Sequence, residues 1–375
     1  MKQRRIAVLG ANAPSIPFYR QAKDLGYYII GIAWAEGAVC KKYCDKFYPI
    51  SFKDKDEVLR VCREEKIDGI TSFSLESALP TVVYVAQSMG LVSNTEECLR
   101  LTETKYAQRC AFEQNGIPVP RYYRVENAHD LQVLDLDYPI IVKPLDSGGS
   151  QGIMKLNDSS GLAEAFKNAI EHSRSNRAII EEYVDGREFS VEYLSCKGKH
   201  YFVQITDKIT SGEPHFIEMA HHQPADISDT VASSIKALVE KALTALKIEN
   251  SPSHTEVKQN SKGDLYIIEI GARMGGDYIT SDLVRLSTGY DMVQGAIELA
   301  TGNFLPPVVL DPQRFSGVYF YSSLAPDVAG IIRKRADYPA IVEAEIIEGP
   351  LPPAKSNADR NGFIIYQSNK EKMVL

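Results

Sequence analysis

Residues 138–153, with the sequence YPIIVKPLDSGGSQGI, combine a short apolar strand with a loop of small residues. The strand delivers Lys143, and the loop that follows contains Gly148, Gly149 and Gly152. Glycines allow backbone N–H groups to approach an anion closely, and a lysine adds a charge-assisted contact. The pattern is not a P-loop, because no Gly-Lys-Ser/Thr follows the glycines. It therefore predicts either a phosphate-covering loop or an ordinary glycine-rich hairpin beside a lysine.

A second informative stretch, residues 178–192, reads AIIEEYVDGREFSVE and predicts two strands joined by a turn. The first strand ends in Glu181 and Glu182, and the second begins after the dipeptide Asp185-Gly186. An acidic residue at a strand end can accept a hydrogen bond from an amino group or a ribose hydroxyl. A solvated hairpin tip explains the same residues, so both interpretations stand on local grounds.

A third stretch, residues 254–270, predicts a β-hairpin because a turn-rich segment separates two strand-like segments. If Asn260 pairs with Leu265, Glu256 lies opposite Glu269, with the two Cβ atoms about 5 Å apart. Like charges at that distance repel each other, and their oxygens suit a hard cation such as Mg²⁺. The hairpin therefore predicts a metal site, and the alternative is an exposed hairpin with solvated carboxylates.

Arg273 follows this hairpin, four residues after Glu269. Its guanidinium could reach a transferred phosphate or an anionic intermediate. Gly271, Gly275 and Gly276 leave room around such a site, which favours the metal interpretation of the hairpin.

The first hundred residues alternate strand-like and helix-like segments, which predicts a parallel α/β domain. Strands are predicted at 5–9, 28–32 and 68–71, and a helix at 55–65. The loop after the first strand reads GANAP and lacks the second and third glycines of the dinucleotide-binding fingerprint. An oxidoreductase using this domain is therefore not expected. Ligands of open α/β sheets bind beyond the carboxyl ends of strands, so residues 72–76 are expected to line a substrate cleft.

Length and composition limit the class of protein. A chain of 375 residues is too long for one core and predicts two or three domains. The formal net charge is −7, without a long basic run, so no nucleic-acid partner is expected. Without a membrane-length apolar stretch or a recognisable secretory signal, we expect no membrane partner and a cytoplasmic location. The six cysteines fit neither a disulfide framework nor a zinc-site spacing.

Taken together and in this order, the three stretches resemble the ATP-grasp superfamily over most of the chain. In that family an N-terminal Rossmann-like domain precedes a two-part α+β ATP-grasp fold, and ATP lies between a lid and a larger domain. The resemblance thus implies an α/β protein with a Rossmann-like domain at 1–104 and an ATP-grasp lid region at 105–184. A larger ATP-grasp domain at 185–310 and a small C-terminal subdomain at 311–375 would follow.

The resemblance also implies roles for individual residues. The ATP-binding lysines, glycine loop, adenine hinge and ribose-contacting acid match Lys105, Lys143, Ser147, Gly148, Gly149, Ser150, Gly152, Glu181, Tyr183, Val184 and Glu188. The two metal carboxylates match Glu256 and Glu269, and the catalytic arginine matches Arg273. The implied cofactors are ATP and one or two Mg²⁺ ions, for which Mn²⁺ could substitute.

One departure from the common family pattern indicates which branch of the family the chain resembles. Many members have Glu-x-Asn-x-Arg at the second carboxylate, whereas this chain has Gly271 in place of the asparagine. The small-residue version is similar to the L-amino-acid ligase branch. The segment from Glu218 to Pro224 also looks like a substrate-side motif of that branch, which makes His221 a second catalytic candidate. The alternative is that His221 and His222 lie in a solvated polar loop.

The implied reaction joins a small-molecule carboxylate to an amine through an acyl phosphate and releases ADP and phosphate. The alternative within the superfamily is a purine-pathway or carboxylating enzyme with the same acyl- or carboxy-phosphate chemistry. A nucleotide-binding subunit without catalysis is a further alternative, against which the complete set of charged residues argues. A homodimer is a candidate assembly, because dimers are the commonest oligomers. No residue is indicated as the general base for the amine.

Overall fold

The computed structural model describes residues 3–149 and 151–375. It contains three β-sheets, of four, four and eight strands, with helices packed against them. Among the described residues, no helix is both long and apolar enough to cross a bilayer.

The N-terminal sheet is parallel, with strand order β3-β2-β1-β4. Its elements are β1 (Arg5–Leu9), α1 (Ile16–Asp24), β2 (Tyr28–Ile32), β3 (Lys46–Tyr48), α2 (Lys55–Glu65), β4 (Gly69–Ser72) and α3 (Leu79–Met89). Ile6 and Val8 face one buried cluster, whereas Ala7 and Leu9 face another on the opposite side of the sheet. Helices on both faces explain why β1 is apolar from Ile6 to Leu9. The predicted strands 5–9 and 28–32 and the helix 55–65 are confirmed.

The second sheet is antiparallel, with strand order β5-β8-β6-β7. Two helices, α4 (Glu96–Thr102) and α5 (Lys105–Gln114), precede it. Its own elements are β5 (Tyr122–Val125), β6 (Ile140–Pro144), β7 (Met154–Leu156), α6 (Leu162–Glu171) and β8 (Ala178–Glu182). Ile140 and Val142 pack in the same cluster as Phe166 of α6. Because side chains alternate along a strand, Lys143 projects from the opposite face.

The third sheet is antiparallel, with strand order β13-β12-β9-β10-β11-β14-β16-β15. Its strands are β9 (Arg187–Cys196), β10 (Lys199–Thr210), β11 (Glu218–Gln223), β12 (Ser251–Gln259), β13 (Leu265–Gly271), β14 (Phe315–Tyr321), β15 (Ile341–Ile346) and β16 (Gly362–Ser368). The helices of this part are α7 (Asp229–Ala245), α8 (Val284–Thr288), α9 (Met292–Ala300) and α10 (Val328–Arg333), and a π-helical turn, Ile279–Leu283, leads into α8.

The large sheet has one apolar and one polar face over its central strands. Phe189, Val191 and Val257 lie in a buried cluster with Ile235 and Val239 of α7. The intervening residues therefore project from the other face, where the charged residues of the candidate site lie. Strands β14 to β16 extend the same sheet, so residues 311–375 pack as its continuation. The four predicted domain ranges stay a prediction.

Candidate active site

The β12–β13 hairpin places Glu256 directly opposite Glu269, as the sequence predicts. The predicted turn register is nevertheless wrong, because Leu265 pairs with Gln259 and not with Asn260. Next to the turn, the two strands are therefore shifted by one residue from the register that was predicted to pair the two glutamates.

A β-bulge at Ile268 restores the pairing of Glu256 with Glu269. Continued without interruption, the turn register would place Glu269 opposite Thr255, on the apolar face of the sheet. A bulge inserts one residue into one strand and can re-aim a side chain. Here it turns the carboxylate of Glu269 toward the polar face.

Charged and polar residues form three rows across the polar face of the large sheet. Cross-strand partners share a face, so the side chains of each row lie next to one another. The rows are Lys258–Glu188–Lys208–His221, Glu269–Glu256–Ser190 and Gly271–His254–Glu192. This arrangement collects residues from five strands, β9 to β13, into one site.

Lys208 is the centre of the first row. Its Nζ lies 3.0 Å from Glu188, 2.9 Å from Glu218 and 2.8 Å from Glu256, and its side chain is only 3% exposed. An ammonium group has three N–H donors, so one lysine serves all three carboxylates. Burial opposes the charges, but the carboxylates raise the pKa of Lys208, and Lys208 lowers the pKa of Glu256 to about 2. Lys258 also lies 3.8 Å from Glu188, and Arg360 lies 3.9 Å from Glu218, so two of the three carboxylates have a second cation nearby.

Glu256 and Glu269 fit a divalent cation. Each side chain is 26% exposed and therefore reachable from the cleft, although one oxygen of each carboxylate contacts a lysine. The partner of Glu269 is Lys105, whose Nζ lies 3.0 Å from its Oε1. The remaining carboxylate oxygens are the hard ligands that Mg²⁺ prefers. The residues present would thus hold a metal between two lysines.

Lys143 and Glu181 form a buried ion pair in the second sheet, and Arg109 of α5 joins it. The Nε of Arg109 lies 2.6 Å from Oε1 of Glu181, and Lys143 contacts the other oxygen. Burial opposes ionisation, but Arg109 and Lys143 together lower the pKa of Glu181 to about 2. Two cations share one carboxylate, so a net positive charge remains for a phosphate. Because Glu181 is buried, the alternative of a solvated hairpin tip is wrong for this residue.

The glycine-rich loop lies between β6 and β7. The carbonyl of Ser147 accepts a hydrogen bond from Lys105 Nζ at 2.8 Å, and the Ser147 hydroxyl donates to the His172 carbonyl. Gly148 and Gly149 are exposed, and a Cβ on either would meet no atom within 4 Å. Their backbone is therefore accessible to a ligand. Ser150 lies outside the described residues.

A cleft of about 710 Å³, open at one side, separates the second sheet from the polar face of the large sheet. Its walls include apolar side chains, such as those of Ile141 and Val184, and the ring of Tyr183. Lys258 Nζ lies 5.0 Å from the centre of that ring and donates to the Val184 carbonyl at 3.2 Å. Glu188 lines the same cleft between the apolar walls and Glu256. The hinge and ribose residues predicted from the sequence are therefore brought together.

Arg273 lies beyond the hairpin. Its Nη1 donates to the Met274 carbonyl at 3.0 Å, and its buried Nε has no hydrogen-bond partner among the described residues. Arg273 and Ser72 line one cavity of about 590 Å³ between the N-terminal sheet and α9, and the expectation that residues 72–76 line a substrate cleft stays a prediction. Burial and the charge of Glu269 raise the pKa of Glu76, and Arg273 opposes them.

His221 is fully buried in β11, so the alternative of a solvated loop is wrong. Its Nε2 lies 3.4 Å from Oε2 of Glu218, and neither ring nitrogen has a hydrogen-bond partner in residues 3–149 and 151–375. Glu218, His221 and Asp277 bring ligand atoms within 4.8 Å of one another. Arg360, 2.7 Å from an oxygen of Asp277, already compensates part of this negative charge.

Sequence reasoning missed Lys208 and Arg109. Lys208 follows Ile205 by three residues in β10, and strand alternation alone places it on the face opposite that apolar side chain. Nothing local to the sequence shows that it meets Glu188 and Glu256. Arg109 is a helical residue, and its partner Glu181 is 72 positions away.

Comparison with known proteins supports the protein family that the sequence motifs indicate. Residues 136–282 match the family described as ATP-grasp domain, and the resemblance drawn from the sequence is confirmed. The alanine–anticapsin ligase of Bacillus subtilis is 23% identical over 64% of this chain and 55% of its own length. The chain thus spans about half the length of several curated relatives that it matches.

Solved structures share the fold along nearly the whole chain. The L-amino acid ligase from Bacillus licheniformis has a TM-score of 0.82 and 22% identity, over 99% of this chain and 94% of that one. Phosphoribosylglycinamide synthetase from Anaerococcus prevotii has a TM-score of 0.75 and 21% identity, over 98% and 95% of the two chains. The predicted fold, an α/β ATP-grasp architecture, is confirmed, and the predicted class of ATP-grasp ligase agrees with these matches.

Proposed function

We propose that the protein is an ATP-dependent carboxylate–amine ligase that forms an amide or peptide bond and releases ADP and phosphate. The observation that carries this proposal is the Glu256–Glu269 pair, which lies between Lys105 and Lys208 and four residues from Arg273. Such a cluster can neutralise a transferred phosphoryl group and hold the carboxylate that attacks it. The site residues keep the roles that the resemblance implies.

ATP would lie in the cleft between the second and third sheets. Ile141 and Val184 offer apolar surfaces to the base, and Glu188 can accept from the ribose hydroxyls. Lys143 and Lys105 would contact the phosphates. The residues around Gly148 and Gly149 would then cover the triphosphate and exclude water, which protects an acyl phosphate from hydrolysis.

In the first step a substrate carboxylate oxygen attacks the γ-phosphorus, the bond to the bridging oxygen breaks, and ADP leaves. Glu256 and Glu269 would hold the magnesium, which when bound neutralises charge on the phosphate oxygens. Lys105 bridges Glu269 and the glycine loop and therefore positions both around the transferred group. The product of this step is an acyl phosphate.

In the second step the amine attacks the acyl carbon, and phosphate leaves as the tetrahedral intermediate collapses. The unpartnered Nε–H of Arg273 can donate to the oxyanion. His221 is a candidate for orienting the departing phosphate. The ammonium must lose a proton, and the raised pKa of Glu76, caused by burial and by Glu269, makes that carboxylate the candidate acceptor.

Amino acids are the proposed substrates. The names of alanine–anticapsin ligase and L-amino acid ligase among the matches support that choice. The structural likeness to phosphoribosylglycinamide synthetase supports a second candidate, a purine-pathway or carboxylating activity.

Phosphate release from Mg·ATP, measured with amino acids singly and in pairs, tests the proposal. Release that requires two amino acids, with a product of the matching dipeptide mass, is the expected result. Release with bicarbonate alone, or with a ribose phosphate, would replace the ligase proposal by the second candidate. ATP binding without turnover under every condition would favour a nucleotide-binding subunit.

A further inference from the structure

The third row of the polar face, Gly271–His254–Glu192, is adjacent to the metal carboxylates but belongs to none of the roles assigned above. His254 precedes Glu256 by two residues in β12, so both side chains project from the same face. Its cross-strand partner on one side is Gly271, which has no side chain, and on the other side is Glu192. The imidazole therefore lies next to Gly271, which has no side chain that could bind a metal ion.

Glu192 orients the imidazole ring of His254. The Nδ1 of His254 lies 2.6 Å from Oε1 of Glu192, whose side chain is 0% exposed. A carboxylate accepts only, so Nδ1 donates in this bond, and Nε2 is the ring nitrogen that remains for a ligand. Gly275 packs against the ring, since a Cβ there would lie 2.6 Å from Nδ1. Ring rotation is thus restricted from two sides.

The free nitrogen of His254 faces the metal carboxylates. Its Nε2 lies 4.0 Å from Oε1 of Glu256. Two ligands of one octahedral ion lie about 3 Å apart when adjacent and about 4 Å apart when opposite, given metal–ligand distances of about 2.1 Å. Oε1 is the oxygen that Lys208 contacts, and the observed separation leaves room for an ion between Nε2 and this carboxylate group.

We propose that His254 is the third protein ligand of the ion held by Glu256 and Glu269, and that Glu192 is its positioning residue. A metal-bound histidine commonly donates its other N–H to a carboxylate, which is the arrangement found here. The second oxygen of Glu192 is buried without a partner among the described residues, so this carboxylate requires a nearby positive charge. An ion bound through the imidazole supplies that charge. The inference rests on the proposed metal site.

A nitrogen ligand changes which metal the site prefers. Oxygen ligands suit Mg²⁺, whereas imidazole suits transition metals, and affinities rise from Mn²⁺ toward Cu²⁺. The ratio of Mn²⁺ affinity to Mg²⁺ affinity is therefore expected to be higher at this site than at a site with oxygen ligands alone. The preference for Mn²⁺ over Mg²⁺ is a property that a merely structural histidine would not alter.

Electron paramagnetic resonance of the full chain with Mn²⁺, without nucleotide, provides the test. Wild-type protein should show modulation from a directly bound ¹⁴N, and His254→Ala should lose it and bind Mn²⁺ about 10–100-fold more weakly. Glu192→Gln should reduce the affinity for Mn²⁺ and the preference for Mn²⁺ over Mg²⁺. Its thermal unfolding, measured without ATP, should stay cooperative. His200→Ala is the matched control, because His200 of β10 bonds Ser195 of β9 and Thr244 of α7, away from the metal carboxylates, and it should change neither property.

Two results would contradict the inference in distinguishable ways. If Mn²⁺ binds, and Glu269→Gln weakens it, but no ¹⁴N coupling is seen, the proposed metal site stands and the role of His254 is wrong. If Glu269→Gln leaves Mn²⁺ affinity unchanged, the metal site of the proposed function is itself wrong. Where His254→Ala does not fold, ¹⁴N coupling that survives in His221→Ala and is lost in Glu269→Gln still assigns the nitrogen to this site and not to the Glu218–His221–Asp277 group.

Discussion

Glu256 and Glu269 are cross-strand partners because Ile268 forms a bulge between their hairpin turn and the site. Each carboxylate is also held by its own lysine, Glu256 by Lys208 and Glu269 by Lys105. The sheet therefore keeps the two carboxylates close together, and the two lysines compensate part of their charge. An ion that enters between them finds ligands already in place, so little ordering cost accompanies its binding.

Replacing Glu269 by Gln should abolish magnesium-dependent turnover without unfolding the protein. The amide keeps the size of the side chain but removes the charge that pairs with Lys105 and that would hold the ion. We expect kcat to fall at least about 100-fold, the size of effect typical of losing one electrostatic group at a phosphoryl or acyl transfer site. Titration of initial rates with Mg²⁺ measures the loss.

Asp264→Asn is the control for Glu269→Gln, since Asp264 lies at the exposed tip of the same hairpin. It should leave turnover and the Mg²⁺ titration unchanged. Unaltered Mg²⁺ dependence in Glu269→Gln, at normal rate, would remove Glu269 from the metal site.

Arg273→Gln should bind ATP nearly as well as the wild-type protein but form little amide product. The reason is that the buried Nε of Arg273 has no partner among the described residues and is therefore free to donate to a reacting group. Loss of an oxyanion donor costs roughly 10²–10³ in kcat. Equilibrium dialysis of ATP and product mass spectrometry give the two quantities.

The exposed Arg285 of α8 provides the comparison, and Arg285→Gln should alter neither quantity. If Arg273→Gln instead loses ATP affinity as much as it loses rate, Arg273 contacts the nucleotide and not the acyl intermediate.

Replacing Lys208 by Met should destabilise the protein by about 3–5 kcal/mol at neutral pH, because three carboxylates would lose their only shared buried cation. The deficit should shrink in acid. Lys208 lowers the pKa of Glu256 from 4.5 to about 2, so the stabilisation is complete above pH 4.5 and disappears as the pH falls toward 2.

Free energies of unfolding of the wild-type protein and Lys208→Met, measured in urea from pH 7 to pH 3, check this prediction. The two curves should approach each other below pH 4.5, where Glu256 takes up protons in the unfolded state. A difference that stays constant over this range would show that Lys208 contributes packing and not charge.

The sequence predicts the elements of the fold well and the contacts of the site incompletely. Strand β1 follows from its apolar run, because burial on both faces leaves a local pattern. The Glu256–Glu269 pairing was predicted from a turn register that is wrong, and the bulge that corrects it has no local signal. The Lys208 cluster joins residues from four strands, β9 to β12. Such contacts depend on strand order, which periodicity does not reveal.

Glycines of one loop should differ in their tolerance of alanine. Gly152 has φ +68°, and a Cβ there would lie 2.8 Å from Cβ of His172 and 2.9 Å from Cγ of Pro144. Gly152→Ala should therefore lose about 1 kcal/mol or more of stability, since a left-handed backbone and two close contacts both oppose the side chain. Gly148→Ala meets no atom within 4 Å, so its melting temperature should match the wild-type value. Thermal melting ranks the two, and the Michaelis constant for ATP should rise in Gly152→Ala, because the displaced loop no longer covers the phosphates. Equal melting temperatures for the two variants would mean that the loop accommodates the added methyl group, and an unchanged Michaelis constant for ATP would mean that the conformation of Gly152 plays no part in nucleotide binding.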